Sequence, residues 1–260
     1  MKRIIKQTTT YVSKDRWITY RVFNPNAYPP STAPIVEACS ERAAILRFQV
    51  RNTRDIIKKD RDAFFKQLVT NKLQILKTLN ENPRLNHIIY YDGLEYLSCF
   101  HGILNTLKSF LDVYAKLVTK LISPTQDMTF NRANVGGIQL SGGRLINWLK
   151  KSAPKYYKEN EQLSEIIVKH SKSWITGVVR YRDTLSHHGK IRGLNNMHVD
   201  TKDFLNGFRE DCIKNPMMPE GTEVVQFCLD LLIKLEDFIK ESLIILPNVK
   251  REFIRFDAQP

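Results

Sequence analysis

The chain has 260 residues, 42% of them apolar, which is enough to bury a hydrophobic core and excludes disorder along most of its length. Four cysteines (Cys39, Cys99, Cys212 and Cys228) include no CxxC pair, so neither a disulfide scaffold nor a four-cysteine zinc knuckle is expected. Forty Lys and Arg against 27 Asp and Glu give a formal charge of +13, and residues 1–91 carry 17 basic but only 7 acidic side chains. A localised electropositive surface suits a polyanion such as nucleic acid. No stretch is apolar enough for a transmembrane helix, and the first ten residues, MKRIIKQTTT, lack the apolar segment of a secretory signal. A cytoplasmic protein with no membrane partner is the expectation.

In chain order, the β-branched and aromatic runs Thr8–Val12 and Trp17–Phe23, separated by Ser13-Lys14-Asp15-Arg16, predict a β-hairpin. Pro25, Pro29, Pro30 and Pro34 follow within ten residues, a tract that reads as a linker. Residues 1–34 thus form a hairpin and proline-rich linker ahead of a helical domain over 35–246, with a tail over 247–260. One or two helices are expected between Ile35 and Leu79. The clearest helix opens at the candidate N-cap Asp92 and carries Leu97, Phe100, Leu104, Leu107, Leu111, Tyr114, Val118 and Leu121 at alternating spacings of three and four. The flanking row Ile103, Phe110 and Leu117 widens its apolar face, so it is expected to be central and to leave surface for a further partner.

A second long helix is predicted from about Glu161 to Ser186, with Leu163, Ile167, His170, Trp174, Val178, Tyr181 and Leu185 on one face and Gly189 as its stop. A third runs from about Thr222 to Ile245, burying Val224, Cys228, Leu231, Leu235 and Phe238. The polar stretch Lys190–Gly221 reads as irregular, and Glu252–Phe256 as a strand returning to the hairpin. Gly136-Gly137 and Gly142-Gly143 lack the Lys-Ser/Thr of a phosphate loop and read as turn glycines. Together these elements predict a mainly α fold, an antiparallel helical bundle with a small N-terminal β-hairpin attachment.

Chemistry concentrates where the second helix closes, in Arg182-Asp183-Thr184-Leu185-Ser186-His187-His188-Gly189. Asp183 and His187 are i,i+4 neighbours, so the carboxylate can hold the imidazole. Arg182 lies five residues before His187, about 140° around the helix at ~3.6 residues per turn, so both reach one cleft only if the helix ends near His187 or the arginine stem bends across. His can move the protons of RNA cleavage, and the planar guanidinium of Arg can stabilise charge on phosphorus. His188 and Ser186 are candidate supports. A metal at Asp183, His187 and His188 would need ligands from elsewhere, so no metal or cofactor is expected. The competing interpretation is a helix C-terminus whose cations complement its dipole.

Arg182-Asp183-x-x-x-His187, at the end of an amphipathic helix in a helical bundle, resembles the motif of the HEPN superfamily: Arg, a polar residue, then His after four to six intervening residues. The resemblance implies metal-independent endoribonuclease activity with Arg182 and His187 catalytic and Asp183 orienting. It also implies a homodimer that brings two motifs into one basic cleft. Many members are toxins or phage-defence effectors, for which an antitoxin or nucleotidyltransferase-like partner is the expected neighbour. Others bind only RNA, nucleotide or a partner protein, and a non-catalytic module of that kind is the alternative. A second RNA-binding candidate is the row Arg47, Arg51, Arg54, Lys58 and Arg61, spaced along one helix face over about 21 Å at ~1.5 Å per residue. Asp55 and Asp62 lie one turn from Arg51 and Lys58, as on an ordinary solvated face. His101 and His170 read as core histidines, and Trp17, Trp148 and Trp174 as packing residues.

Overall fold

A computed structural model describes residues 23–90, 94–151, 153, 159–189, 191, 194 and 196–253. The predicted hairpin, Trp17 and the candidate cap Asp92 lie outside the described residues. The fold is mainly α. Helices α1 (Ala33–Thr70), α2 (Lys72–Glu81), α3 (Leu94–Ile122), α4 (Gly143–Lys151), α5 (Glu159–His170), α6 (Thr176–His188), α7 (Thr201–Leu205) and α8 (Val224–Leu243) carry most of the chain. Among the described residues four short strands make two antiparallel pairs: β1 (His87–Ile89) with β4 (His198–Asp200), and β2 (Ala133–Val135) with β3 (Ile138–Leu140). Among the described residues no helix is long and apolar enough to cross a membrane. The chain divides into two compact units, one of residues 1–47, 104–180 and 232–260 and the other of 48–103 and 181–231.

The helical periodicities mostly fall where burial requires them: on the predicted second helix Leu163, Ile167, His170, Trp174 and Val178 are buried, while Tyr181 and Leu185 are half-buried. In α3 the residues from Phe100 to Leu121 of the predicted seam are buried, but the seam starts at Tyr96, with Leu97 half-buried. The flanking row Ile103, Phe110 and Leu117 is fully buried within the chain, so this row is not itself a face open to a further partner. All five predicted core positions of α8, Val224 to Phe238, are buried. The predicted second helix is α5 and α6 joined by a π-helical turn, Ser171–Ile175. That widened turn seats the buried Ser171 hydroxyl, which donates to the Ser141 carbonyl at 2.7 Å.

The first unit is organised by aromatic rings. Phe110 stacks on Tyr114 at 5.8 Å, and Phe23 and Phe238 meet Tyr114 edge-on at 6.5 and 5.6 Å. The Tyr114 hydroxyl lies 2.6 Å from the Ser242 hydroxyl, and burial pushes its pKa up. The proline tract is part of this packing: Pro25–Ala27 and Pro30–Thr32 are 3-10 turns, and Ala27 and Tyr28 are buried. The β2–β3 hairpin turns through Gly136 and Gly137, both at positive φ (59° and 88°), which a two-residue primed turn requires. At the far end of the chain Arg251–Phe253 is a 3-10 turn where a strand was expected, and residues 254–260 lie outside the described residues.

The second unit packs Phe64 on Tyr90 (5.2 Å), Phe100 on Phe227 (6.1 Å) and Phe65 on Phe208 (5.4 Å). Its ribbon was not anticipated. His87-Ile88-Ile89 and His198-Val199-Asp200 pair with His87 opposite Asp200 and Ile89 opposite His198. Val199 is fully buried, so the alternation turns His87, Ile89, His198 and Asp200 to the opposite face.

Candidate functional site

The motif lies in the second unit, on the last two turns of α6. Its helix ends at His188, and Gly189 follows with φ 70°, the left-handed conformation that glycine adopts without steric cost. The Gly189 N–H donates to the Leu185 carbonyl at 3.0 Å, satisfying a terminal acceptor. The predicted stop is therefore the observed one. Tyr181 fixes the start of the segment: its hydroxyl donates to Glu220 Oε2 at 2.6 Å and its ring meets Phe227 at 6.0 Å.

Arg182 and Asp183 are half-buried, whereas Ser186 and His187 are exposed. The carboxylate of Asp183, expected to orient His187, lies against the motif arginine, with Oδ1 3.1 Å from Arg182 Nη2. The Nε of Arg182 is buried without a hydrogen-bond partner among the described residues. His101, expected in the core, is half-buried instead, and its Nε2 is 3.5 Å from the Ser186 hydroxyl. The last two turns of α6 thus carry a guanidinium paired with a carboxylate and, farther on, a hydroxyl and an exposed imidazole, with a second imidazole 3.5 Å from the hydroxyl. The side chain of His188 lies outside the described residues.

The basic row lies on α1. Arg51, Arg54 and Lys58 are exposed, and Arg47 and Arg61 are half-buried. Arg61 donates from Nη2 to the Glu210 carbonyl at 3.0 Å, which ties it into the fold. Arg54 Nε is 3.3 Å from Asp55 Oδ1. Lys58, Lys59 and Lys66 share an open groove with Asp55 and Asp62, so acidic groups interrupt the positive surface there.

A second polar constellation, which sequence reasoning missed, sits on the exposed face of the β1–β4 ribbon. His87 Nδ1 is 2.7 Å from Asp200 Oδ1, and Lys214 pairs with Asp200 Oδ2. The Lys214 hydrogen bond, with His87 contributing, holds the Asp200 carboxyl below the usual carboxylate range, and the same bond raises the Lys214 pKa. His198 and Lys214 exchange backbone hydrogen bonds of 3.1 and 2.8 Å, so Lys214 extends the ribbon by one residue. The signal was present as period-two alternation in His87-Ile88-Ile89 and His198-Val199-Asp200, but three-residue strands are too short to stand out between helices.

His170, expected in the core, is there. It is 5% exposed in the first unit, accepts from Trp174 Nε1 at Nδ1 (2.9 Å), and has Nε2 3.2 Å from Glu241 Oε2. Comparison with protein-family models, with curated proteins and with solved structures finds no match.

Proposed function

We propose that this protein is a metal-independent endoribonuclease of the HEPN type, with Arg182 and His187 catalytic and Asp183 positioning the guanidinium. In this proposal the helices form an antiparallel bundle, and a homodimer brings two copies of the motif into one cleft. The observation that carries it is the Arg182–Asp183 pair and the exposed His187 on the last two turns of a helix that stops at His188. The half-buried guanidinium, paired with Asp183 through Nη2, has the planar fork that suits phosphate oxygens.

The chemistry follows from these groups. The ribose 2′ oxygen attacks phosphorus as one His187 removes its proton, and the bond to the 5′ oxygen breaks as the second copy's imidazole protonates it. Arg182 stabilises the charge that builds on the non-bridging oxygens. The products are a 2′,3′-cyclic phosphate and a 5′-hydroxyl. Because the flanking row of α3 is buried within the chain, support for a dimer comes from the sparse catalytic set alone: one arginine and one motif histidine per chain.

The test is RNA cleavage by single variants. His187→Ala should lower the rate by about 10²-fold or more, the value of a general acid or base, while His188→Ala should cost far less. If His188→Ala is the inactive variant and His187→Ala cleaves normally, the assignment is wrong. RNA binding without cleavage by the wild type would select the non-catalytic alternative.

A further inference from the structure

We infer that His87 and His198 form a binding site for a divalent transition metal of the zinc class, held on the β1–β4 ribbon. The inference is independent of the ribonuclease proposal and concerns different residues.

The sequence alternation and the register place both histidines on one face of the ribbon, diagonal to each other across the strand pair. Their ring centroids are 5.1 Å apart. Each of His87, His198 and Asp200 offers a ligand atom within 4.8 Å of the other two. The rings adjoin a pocket of ≈ 300 Å³ lined also by Ile89, Leu194 and Asn196.

The tautomers decide what the rings can do. The acceptor facing His198 Nδ1 is the Asn196 carbonyl, at 3.0 Å, so that nitrogen carries the proton and donates. The ionised Asp200 carboxylate likewise accepts from His87 Nδ1. In each neutral ring the lone pair is therefore left on Nε2, and among the described residues neither Nε2 has a hydrogen-bond partner. A ring that donates from one nitrogen to a carboxylate or carbonyl and presents the other bare is the arrangement found at metal-ligating histidines, because the outer bond fixes the ring and raises its basicity. The Asn196 carbonyl is itself steadied through its residue, since the Tyr96 hydroxyl donates to Asn196 Oδ1 at 3.3 Å.

Two imidazoles favour zinc, nickel or copper over magnesium or calcium, which prefer oxygen. Tetrahedral zinc with Zn–N bonds of about 2.0–2.1 Å needs ligand atoms roughly 3.3 Å apart, within reach of side-chain rotation on an exposed ribbon. Asp200 serves as the positioning carboxylate, one oxygen on His87 and the other on Lys214. Two protein ligands leave coordination positions open to water or a small anion. Lys214 opposes the ion, since its ammonium offsets the carboxylate charge.

The experiment is calorimetric titration of the untagged, chelator-stripped full chain with Zn²⁺, with Co²⁺ absorption to report coordination. Wild type should bind one equivalent, and His87→Gln or His198→Gln should each weaken binding at least tenfold with the circular dichroism unchanged. The double variant His187→Gln/His188→Gln should bind as wild type does. Asp200→Asn should weaken binding about 10–100-fold, the usual cost of losing such a supporting group. Lys214→Gln should tighten it. Absence of binding, binding indifferent to His87 and His198, or loss in the His187/His188 variant would each overturn the inference. So would weaker binding in Lys214→Gln. Saturable binding of inorganic phosphate at this pocket without any metal binding would identify an anion site instead and overturn it too.

Discussion

His170 in the first unit and the pair His87 and His198 in the second present the same side chain in opposite states of commitment. Trp174 can only donate, so His170 must accept at Nδ1, carry its proton on Nε2 and turn it to Glu241; both nitrogens are used. Phe238 lies 5.2 Å from the same ring, and little of it reaches solvent. On the ribbon the acceptors face Nδ1 in both rings, and among the described residues Nε2 is left over beside a pocket. The difference lies less in burial than in which nitrogen the fold leaves unspent. A fully engaged imidazole holds structure; a half-engaged one can take a ligand.

The comparison breaks most readily in the core. Phe238→Ala removes a ring that meets Tyr114, Phe130 and His170, and should cost about 3–5 kcal/mol in urea unfolding. A cost below 1 kcal/mol would mean that His170 is not embedded as described. Trp174→Phe keeps most of the packing but deletes the donor to Nδ1. The stranded acceptor should destabilise the protein by about 1–3 kcal/mol, read from the same unfolding curves.

Glu241 sharpens the contrast through pH. The Lys169 ammonium, and then His170, hold its carboxyl below the ordinary value. A depressed carboxyl stabilises the fold above its unfolded pKa, about 4.3, and that stabilisation is lost as pH falls through the lower folded value. Glu241→Gln should therefore lower the melting temperature at pH 7, by the equivalent of about 1 kcal/mol or less because the group is partly exposed. The gap should close as the pH is taken below about 4.3. A gap that widens in acid would contradict the assignment. The smallest effect belongs to the ribbon: in metal-free buffer His87→Gln should change stability by no more than about 0.5 kcal/mol, because an exposed ring supports little packing.

How much of this was legible depends on sequence separation. The buried faces of α3 and α8 repeat every three or four residues, so local spacing revealed them. The single slip, Leu97 for Tyr96, is one position at a helix start. The motif was equally local, since Arg182, His187 and Gly189 lie within eight residues and the glycine marks the stop. The ribbon was hidden because His87 and Asp200 are 113 residues apart, and nothing within either three-residue strand names its partner. The same holds for His101, which meets Ser186 across 85 residues. His170 could be told from its place on an apolar face with Trp174 one turn on, whereas its partners Glu241 and Phe238 on α8 could not.

The central claim is that Arg182 and His187 cut RNA without a metal. Its most direct test is incubation of the full-length protein with RNA in excess EDTA, comparing wild type, Arg182→Ala and the double variant His87→Gln/His198→Gln, with the product ends identified. We expect the wild type and the ribbon variant to cleave alike, leaving 2′,3′-cyclic phosphate and 5′-hydroxyl ends, and Arg182→Ala to be inactive. Cleavage that stops on chelation and is already lost in the ribbon variant, or that leaves 5′-phosphate ends, would contradict the account and move the chemistry to the β1–β4 ribbon.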